Sequence, residues 1–140
     1  MAVSRLLLDT SAYAAFMRGH DAITAAVQRA DEISLNAIVL GELRAGFLAG
    51  RHRARNDREL ETFRSSPRVR IVDVDADTAE RYAVILKTLR DAGTPVPTND
   101  IWIAASAMQH GLAILTTDTH YRHIAQVIVT YFEPEKGRSS

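Results

Sequence analysis

No cysteine occurs anywhere in the 140 residues, which excludes disulfides and thiolate metal sites and fits a reducing compartment. An excess of charge of one sign is also missing. Seventeen basic side chains offset seventeen acidic ones, so no global field draws the chain to nucleic acid or a membrane. Any electrostatic specialisation has to be local. No segment approaches the roughly 20 apolar residues that span a bilayer. The apolar run in MAVSRLLLD is cut by Asp9 after three leucines, too early for a signal-peptide core. Internal repeats and linkers are lacking as well. What is present is 46% hydrophobic residues, enough for one core and too little for two. The expectation is a soluble, cytoplasmic protein with no membrane segment. A single domain is expected over residues 1–134, followed by a polar tail, EKGRSS (135–140), that has nothing apolar to bury.

Short apolar runs at 5–8, 33–35, 69–72, 113–115 and 127–130 alternate with amphipathic stretches at 10–18, 21–30, 36–48, 51–65, 77–92, 99–110 and 119–125. Strands separated by helices imply crossover connections and a parallel sheet covered on both faces. Gly93 stops the 77–92 helix, and Pro95 and Pro97 hold the following chain extended.

Ligands of open parallel sheets bind beyond the carboxyl ends of the strands. Asp9 follows RLLL and Asp118 follows AILTT, so both reach that edge. Asp100 begins the helix leading into the 113–115 strand, and a right-handed crossover returns its N-terminus to the same edge. Asp9 and Asp100 each admit a bland role, because Asp is a favoured cap and stabilises a first helical turn by roughly 0.3–1 kcal/mol. Glu42 is harder to explain that way. On a helical wheel it falls among Ile38, Ala45, Gly46 and Ala49. Arg44 lies about 160° away, so no local salt bridge forms. A buried, unpaired carboxylate is costly; the alternative is a Glu42 that reaches solvent.

Two carboxylates about 4 Å apart repel by roughly 4 kcal/mol at an effective dielectric of 20. Four meeting at one sheet edge would be relieved by a trapped proton or a bound cation. Oxygen-only ligands suit Mg2+ or Mn2+ over zinc. A carboxylate-held divalent ion can activate water and stabilise a leaving oxygen on phosphorus, so such a cluster suggests phosphodiester hydrolysis.

Four pieces in order, LLLDTSAY with Asp9, GELRAG with Glu42, TNDIWIAASA with Asp100 and LTTDTHY with Asp118, cover residues 6–121. The sequence resembles the PIN-domain nucleases, and within them the VapC-like toxins of bacterial toxin–antitoxin pairs. The resemblance implies a three-layer α/β/α sandwich with a central parallel sheet and a metal-dependent endoribonuclease leaving 5′ phosphate and 3′ hydroxyl ends. It assigns Asp9, Asp100 and Asp118 as ligands of Mg2+ or Mn2+. Glu42 would complete the set as a ligand or orient the attacking water, with Ser11 and Thr116 in support. His120 stands where relatives often carry a further acid, which puts a fifth acidic ligand in doubt. The implied partners are an RNA substrate, a second copy of the chain, and a small antitoxin that covers the acidic groove and binds operator DNA. The apolar helices at 10–18 and 36–48 are the expected walls of that groove. The competing class is a non-catalytic binding module that keeps the scaffold and acts only through a partner; the presence of all four acids argues against it.

Other signals are weaker. RIVDVDADTAE has the look of an aspartyl nucleophile loop, but too little chain follows it. Asp73, Asp75 and Asp77 also match the opening of a calcium loop. That loop needs Gly at its sixth position and Glu at its twelfth, where Thr78 and Val84 stand. Asp75 or Asp77 is better read as a helix cap. Residues 51–70 hold seven arginines and one histidine against three acids. Either Arg51, Arg53 and Arg55 grip RNA phosphates, or the segment is a solvated helix with pairs such as Arg55–Glu59. His120 and His123 lie one turn apart, but with no third imidazole or thiolate nearby they are set aside as a metal pair. Trp102, Met108 and Phe47 read as core or interface residues.

Overall fold

The structure is a computed structural model and describes residues 4–135. Its centre is a strand no longer than four residues, β1 (Arg5–Leu8), in which Leu7 and Leu8 are wholly buried. An uninterrupted leucine run can be buried on both sides only in a sheet covered on both faces. β1 pairs in parallel with β2 (Glu32–Asn36) on one side and β4 (Ala113–Thr116) on the other. β3 (Val69–Val72) and β5 (Val129–Tyr131) form the edges, in the order β3-β2-β1-β4-β5, all parallel.

The helices are α1 (Thr10–Met17), α2 (Asp21–Arg29), α3 (Ala37–Ala49), α4 (Arg53–Arg64), α5 (Ala76–Asp91) and α6 (Thr98–His110). The chain winds outward from β1 to β3 through α1–α4, then returns through α5 and α6 to β4. With right-handed crossovers the two sets cover opposite faces, and the order reverses between β1 and β4. The expected three-layer α/β/α sandwich is what the chain forms. None of the described helices is long and apolar enough to cross a membrane.

Residues settle the caps. Asp75 starts α5 through a capping box with Thr78. Gly111, with φ +65°, ends α6 in the left-handed region that a side chain resists. Tyr82 of α5 stacks on Trp102 of α6 with ring centroids 4.1 Å apart. Arg44 of α3 bridges Asp57 and Glu61 of α4 at 2.8 and 2.6 Å. Asp57 and Glu61, like-charged and one turn apart, are thus held by one guanidinium.

Two expected elements differ. The 119–125 helix is a 3-10 turn at Thr119–His123, because Asp118 caps the N–H only two residues on and Ile124 is already extended. The last strand starts at Val129, leaving Ile128 74% exposed ahead of it. Of the stretch expected to be an unpacked tail, Glu135 accepts from the Asp21 N–H at 2.9 Å; residues 136–140 lie outside the described residues.

One buried polar contact fixes the helices that carry the acidic residues. Asn36 ends β2, caps α3 by accepting from the Val39 N–H at 2.9 Å, and donates to Ser106 Oγ of α6 at 3.0 Å, all out of solvent. Asn36→Ala should remove the cap and orphan Ser106, destabilising the fold by roughly 2–3 kcal/mol in denaturant titration. Ser106→Ala made on top of it should add less than it costs alone.

Candidate functional site

Each of the four acids arrives by a different local route. Asp9 leaves β1 and becomes the N-cap of α1, accepting from the Ala12 N–H at 2.8 Å. Because β1 and β4 are adjacent and in register, Thr116 stands beside it and donates to Asp9 Oδ2 at 2.6 Å. Ser11 donates to Oδ1 at 2.7 Å. Thr116 Oγ1 in turn accepts from the Asp118 N–H at 2.9 Å, and Ser11 Oγ from the Thr117 N–H at 3.1 Å. Asp9 is only 3% exposed, and each of these partners is neutral.

Glu42 lies one turn into α3. Its Oε1 accepts from Thr10 Oγ1 at 2.7 Å and its Oε2 from Asn99 Nδ2 at 3.4 Å. The apolar wheel sector around it is not a core face. Val39 and Leu43 carry the buried side of α3, while Ala45, Gly46 and Ala49 face solvent. Glu42 is half-buried because the hydroxyl of Thr10 and the amide of Asn99 approach it.

Asp100 is the third residue of α6 and does not cap it; Pro97 occupies the cap without a side-chain bond. Its Oδ1 accepts from Tyr121 Oη at 3.4 Å and its Oδ2 lies 2.9 Å from His120 Nδ1. Asp118 caps the 3-10 turn, with Oδ1 accepting from the His120 N–H at 2.8 Å and lying 3.0 Å from His120 Nδ1.

Asp9, Glu42, Asp100 and Asp118 line one cavity of about 300 Å³, with Thr10, Ser11, Ala14, Ile103 and Tyr121 completing its wall. Asp100, Asp118 and His120 each offer a ligand atom within 4.8 Å of the others. The donor set is therefore hard oxygen with one imidazole at its rim, chemistry that suits a small divalent cation. The arginine segment lies elsewhere. Arg53 and Arg55 pair with Asp57 and Glu59 along α4 at 3.6 and 3.3 Å, and the exposed Arg51 precedes that helix. Arg55 does line a neighbouring groove with Tyr13, Ala14 and Phe47, and Ala14 also borders the acidic cavity.

Three participants were not singled out from the sequence as site residues: Thr10, Asn99 and Tyr121. All lie inside or next to the quoted motifs, and only their contacts distinguish them. His120 was weighed as the replacement of a further acid and as a partner of His123, which the structure leaves exposed outside the cluster.

Burial pushes the Asp9 carboxyl up to about 6, against hydrogen bonds from Thr116, Ala12 and Ser11 that lower it and the charge of Asp100 that raises it. Asp100 is also raised, first by burial and then by repulsion from Asp118 and Glu42, although the His120 contact pulls the other way. The Tyr121 phenol is raised far above its usual range by burial and by the surrounding carboxylates, so it remains a hydrogen-bond donor. A carboxyl with a raised folded-state value binds its proton more tightly folded than unfolded. Its stabilisation is full below the unfolded value near 3.8 and is lost as pH rises through about 6. At about 1.4 kcal/mol per pH unit, the ionised Asp9 costs on the order of 3 kcal/mol in the absence of a cation. In EDTA, Asp9→Asn should therefore melt several degrees above the parent at pH 7.5, and the gap should close near pH 4. Scanning calorimetry across that range checks the sign.

Residues 6–127 match the family model described as PIN domain. Ribonuclease VapC4 of Mycobacterium tuberculosis is 38% identical over 98 residues, covering 70% of this chain and 75% of that protein. VapBC2 from Rickettsia felis, solved with a DNA fragment from its promoter, superposes with a TM-score of 0.80 at 22% identity, over 91% of this chain and 98% of that one. VapBC-5 from Mycobacterium tuberculosis, a member of the VapBC family of toxin–antitoxin systems, gives 0.71 at 27% identity, over 94% and 100%. With its fold, its acidic cavity and its sequence all agreeing, this chain belongs to the PIN-domain family.

Proposed function

We propose that the protein is a divalent-metal-dependent endoribonuclease, the toxin of a toxin–antitoxin pair, working in the cytoplasm with Mg2+ or Mn2+. The observation that carries this is the convergence of four carboxylates from four separate segments on one cavity, with Asp9 and Asp100 both raised in pKa, first by burial and then by neighbouring carboxylates. The similarity to a VapC ribonuclease over most of the chain supports RNA as the substrate.

Asp9, Asp100 and Asp118 are assigned to hold the cation. A divalent ion bound there supplies positive charge that acidifies water and offsets charge developing on phosphorus. Ser11 and Thr116 fix the two Asp9 oxygens, so this ligand is oriented before anything binds. Thr10 holds one oxygen of Glu42 while the other meets only the long Asn99 contact. That second oxygen is left to orient the attacking water and accept its proton. Tyr121 keeps Asp100 turned inward from a wholly buried ring.

The basic edge of the adjoining groove, at Arg18 and Arg55, is the assigned track for RNA phosphates leading to the cavity. Arg51 and Arg53 extend it along the surface. The outward face of α3, with Leu48 60% exposed beside Ala45 and Ala49, is the surface offered to protein partners. A second copy and the covering segment of an antitoxin are the proposed occupants, in keeping with the toxin–antitoxin relative. Residues 1–134 would act as one nuclease domain.

Single-stranded RNA incubated with the protein and Mg2+ should be cut to fragments with 5′ phosphates, and EDTA should abolish the cutting. Asp9→Asn and Asp100→Asn should each lower the rate by roughly a hundredfold or more; full activity in both would overturn the metal model. Loss of cutting in all proteins, parent included, with antitoxin binding intact would favour the non-catalytic scaffold. Separately, millimolar Mg2+ should raise the melting temperature at pH 7.5, with about 2.7 kcal/mol expected at a hundred times Kd. Asp9→Asn should show a smaller rise.

A further inference from the structure

The His120 imidazole does not point away from the acids. Its Nδ1 lies 2.9 Å from Asp100 Oδ2 and 3.0 Å from Asp118 Oδ1. Neighbouring ligands of an octahedral ion with bonds near 2.1 Å are themselves about 3.0 Å apart. These two separations match adjacent corners of one coordination shell, and match equally well two N–H···O hydrogen bonds. The ring is also set in place by the backbone, since its own N–H donates to Asp118 Oδ1 at 2.8 Å, closing the turn that follows β4. With the side chain 45% exposed, the imidazole sits at the cavity's rim, where an ion entering from solvent would meet it.

We propose that His120 Nδ1 is itself a metal ligand, forming with Asp100 and Asp118 a mixed nitrogen–oxygen set that holds a first-row transition ion in preference to Mg2+. This rests on the cation site proposed above and adds to it a choice between ions. Imidazole nitrogen favours transition ions, whereas Mg2+ prefers oxygen and parts reluctantly with its water. Binding takes the neutral tautomer that carries its hydrogen on Nε2, leaving the Nδ1 lone pair for the metal. The competing role is that of a positioning residue. There Nδ1 keeps its hydrogen, donates to the two carboxylates, and never touches the ion.

Mn2+ distinguishes the two because it is paramagnetic. The full chain titrated with Mn2+ and examined by electron spin-echo envelope modulation should show nitrogen coupling from a directly bound imidazole. His120→Gln should abolish that coupling while the protein still binds Mn2+, about tenfold more weakly. Mg2+, measured by competition against Mn2+, should lose much less affinity in the same variant. Substitution of a half-exposed side chain should leave the fold intact, and labelling the parent with 15N-histidine gives a second readout without any substitution. Bound Mn2+ with no nitrogen coupling in the parent would overturn the ligand role and leave the metal site standing. Coupling that survives in His120→Gln would assign the nitrogen elsewhere and likewise overturn it. Failure of the parent to bind Mn2+ at all would overturn the cation site, and this inference with it.

Discussion

Repulsion among carboxylates at one end of the sheet is the constraint around which the rest of the molecule is arranged. Asp9, Glu42, Asp100 and Asp118 share one cavity, and no arginine or lysine is hydrogen-bonded to any of them among the described residues. Apart from the His120 imidazole, 2.9 Å from Asp100 and 3.0 Å from Asp118, neutral donors hold them: two hydroxyls and a backbone N–H on Asp9, a hydroxyl and an amide on Glu42, a phenol on Asp100. Hydroxyls orient an anion without cancelling its charge. The result is a cluster that is rigid and electrostatically incomplete, which is the state a cation-binding site has to be in before its ion arrives.

Distance from the acids is how the basic residues are kept from completing the cluster themselves. Arg44 turns to Asp57 and Glu61, Arg53 and Arg55 stay on their own helix, and Arg5 and Arg70 share Glu32. Such exposed pairs add little stability individually. None of them reaches the four acids of the cavity. The chain's zero net charge thus hides a separation of charge between the sheet edge and the α4 surface.

Much of this was legible in the residues. The leucine run of β1 could only be a doubly covered strand, and Asp9 at its end could only project from the strand's carboxyl edge. TNDIWIAASA placed Asp100 within the first turn, as the third residue of a helix whose cap position is Pro97, so it does not serve as the cap. Glu42 was flagged for an incomplete local reason: of the apolar wheel around it only Ile38 packs on the core, and its partner Thr10 lies 32 positions away. His120 was set aside as a metal pair with His123 because no third imidazole or thiolate lies near them in the sequence. Its partners are oxygens, one of them twenty residues back. The final helix became a 3-10 turn because the Asp118 cap closes over two residues, a geometry that hydrophobic spacing does not encode. Local pattern fixed the elements, and contacts over long sequence separations fixed the site.

The hydrogen bond from Thr116 to Asp9 spans 107 positions, and it has a bearing on when the pocket can form during synthesis. The central strand is synthesised long before its β4 neighbour, so a nascent chain carries β1 with one side open and Asp9 without its Thr116 donor until more than a hundred further residues have emerged. A ribosome stalled anywhere before Asp118 holds a polypeptide lacking one wall of the pocket. The strand order thereby orders the pocket in time: its four acids and the donors that orient Asp9 come together only after β4 and Asp118 have been made.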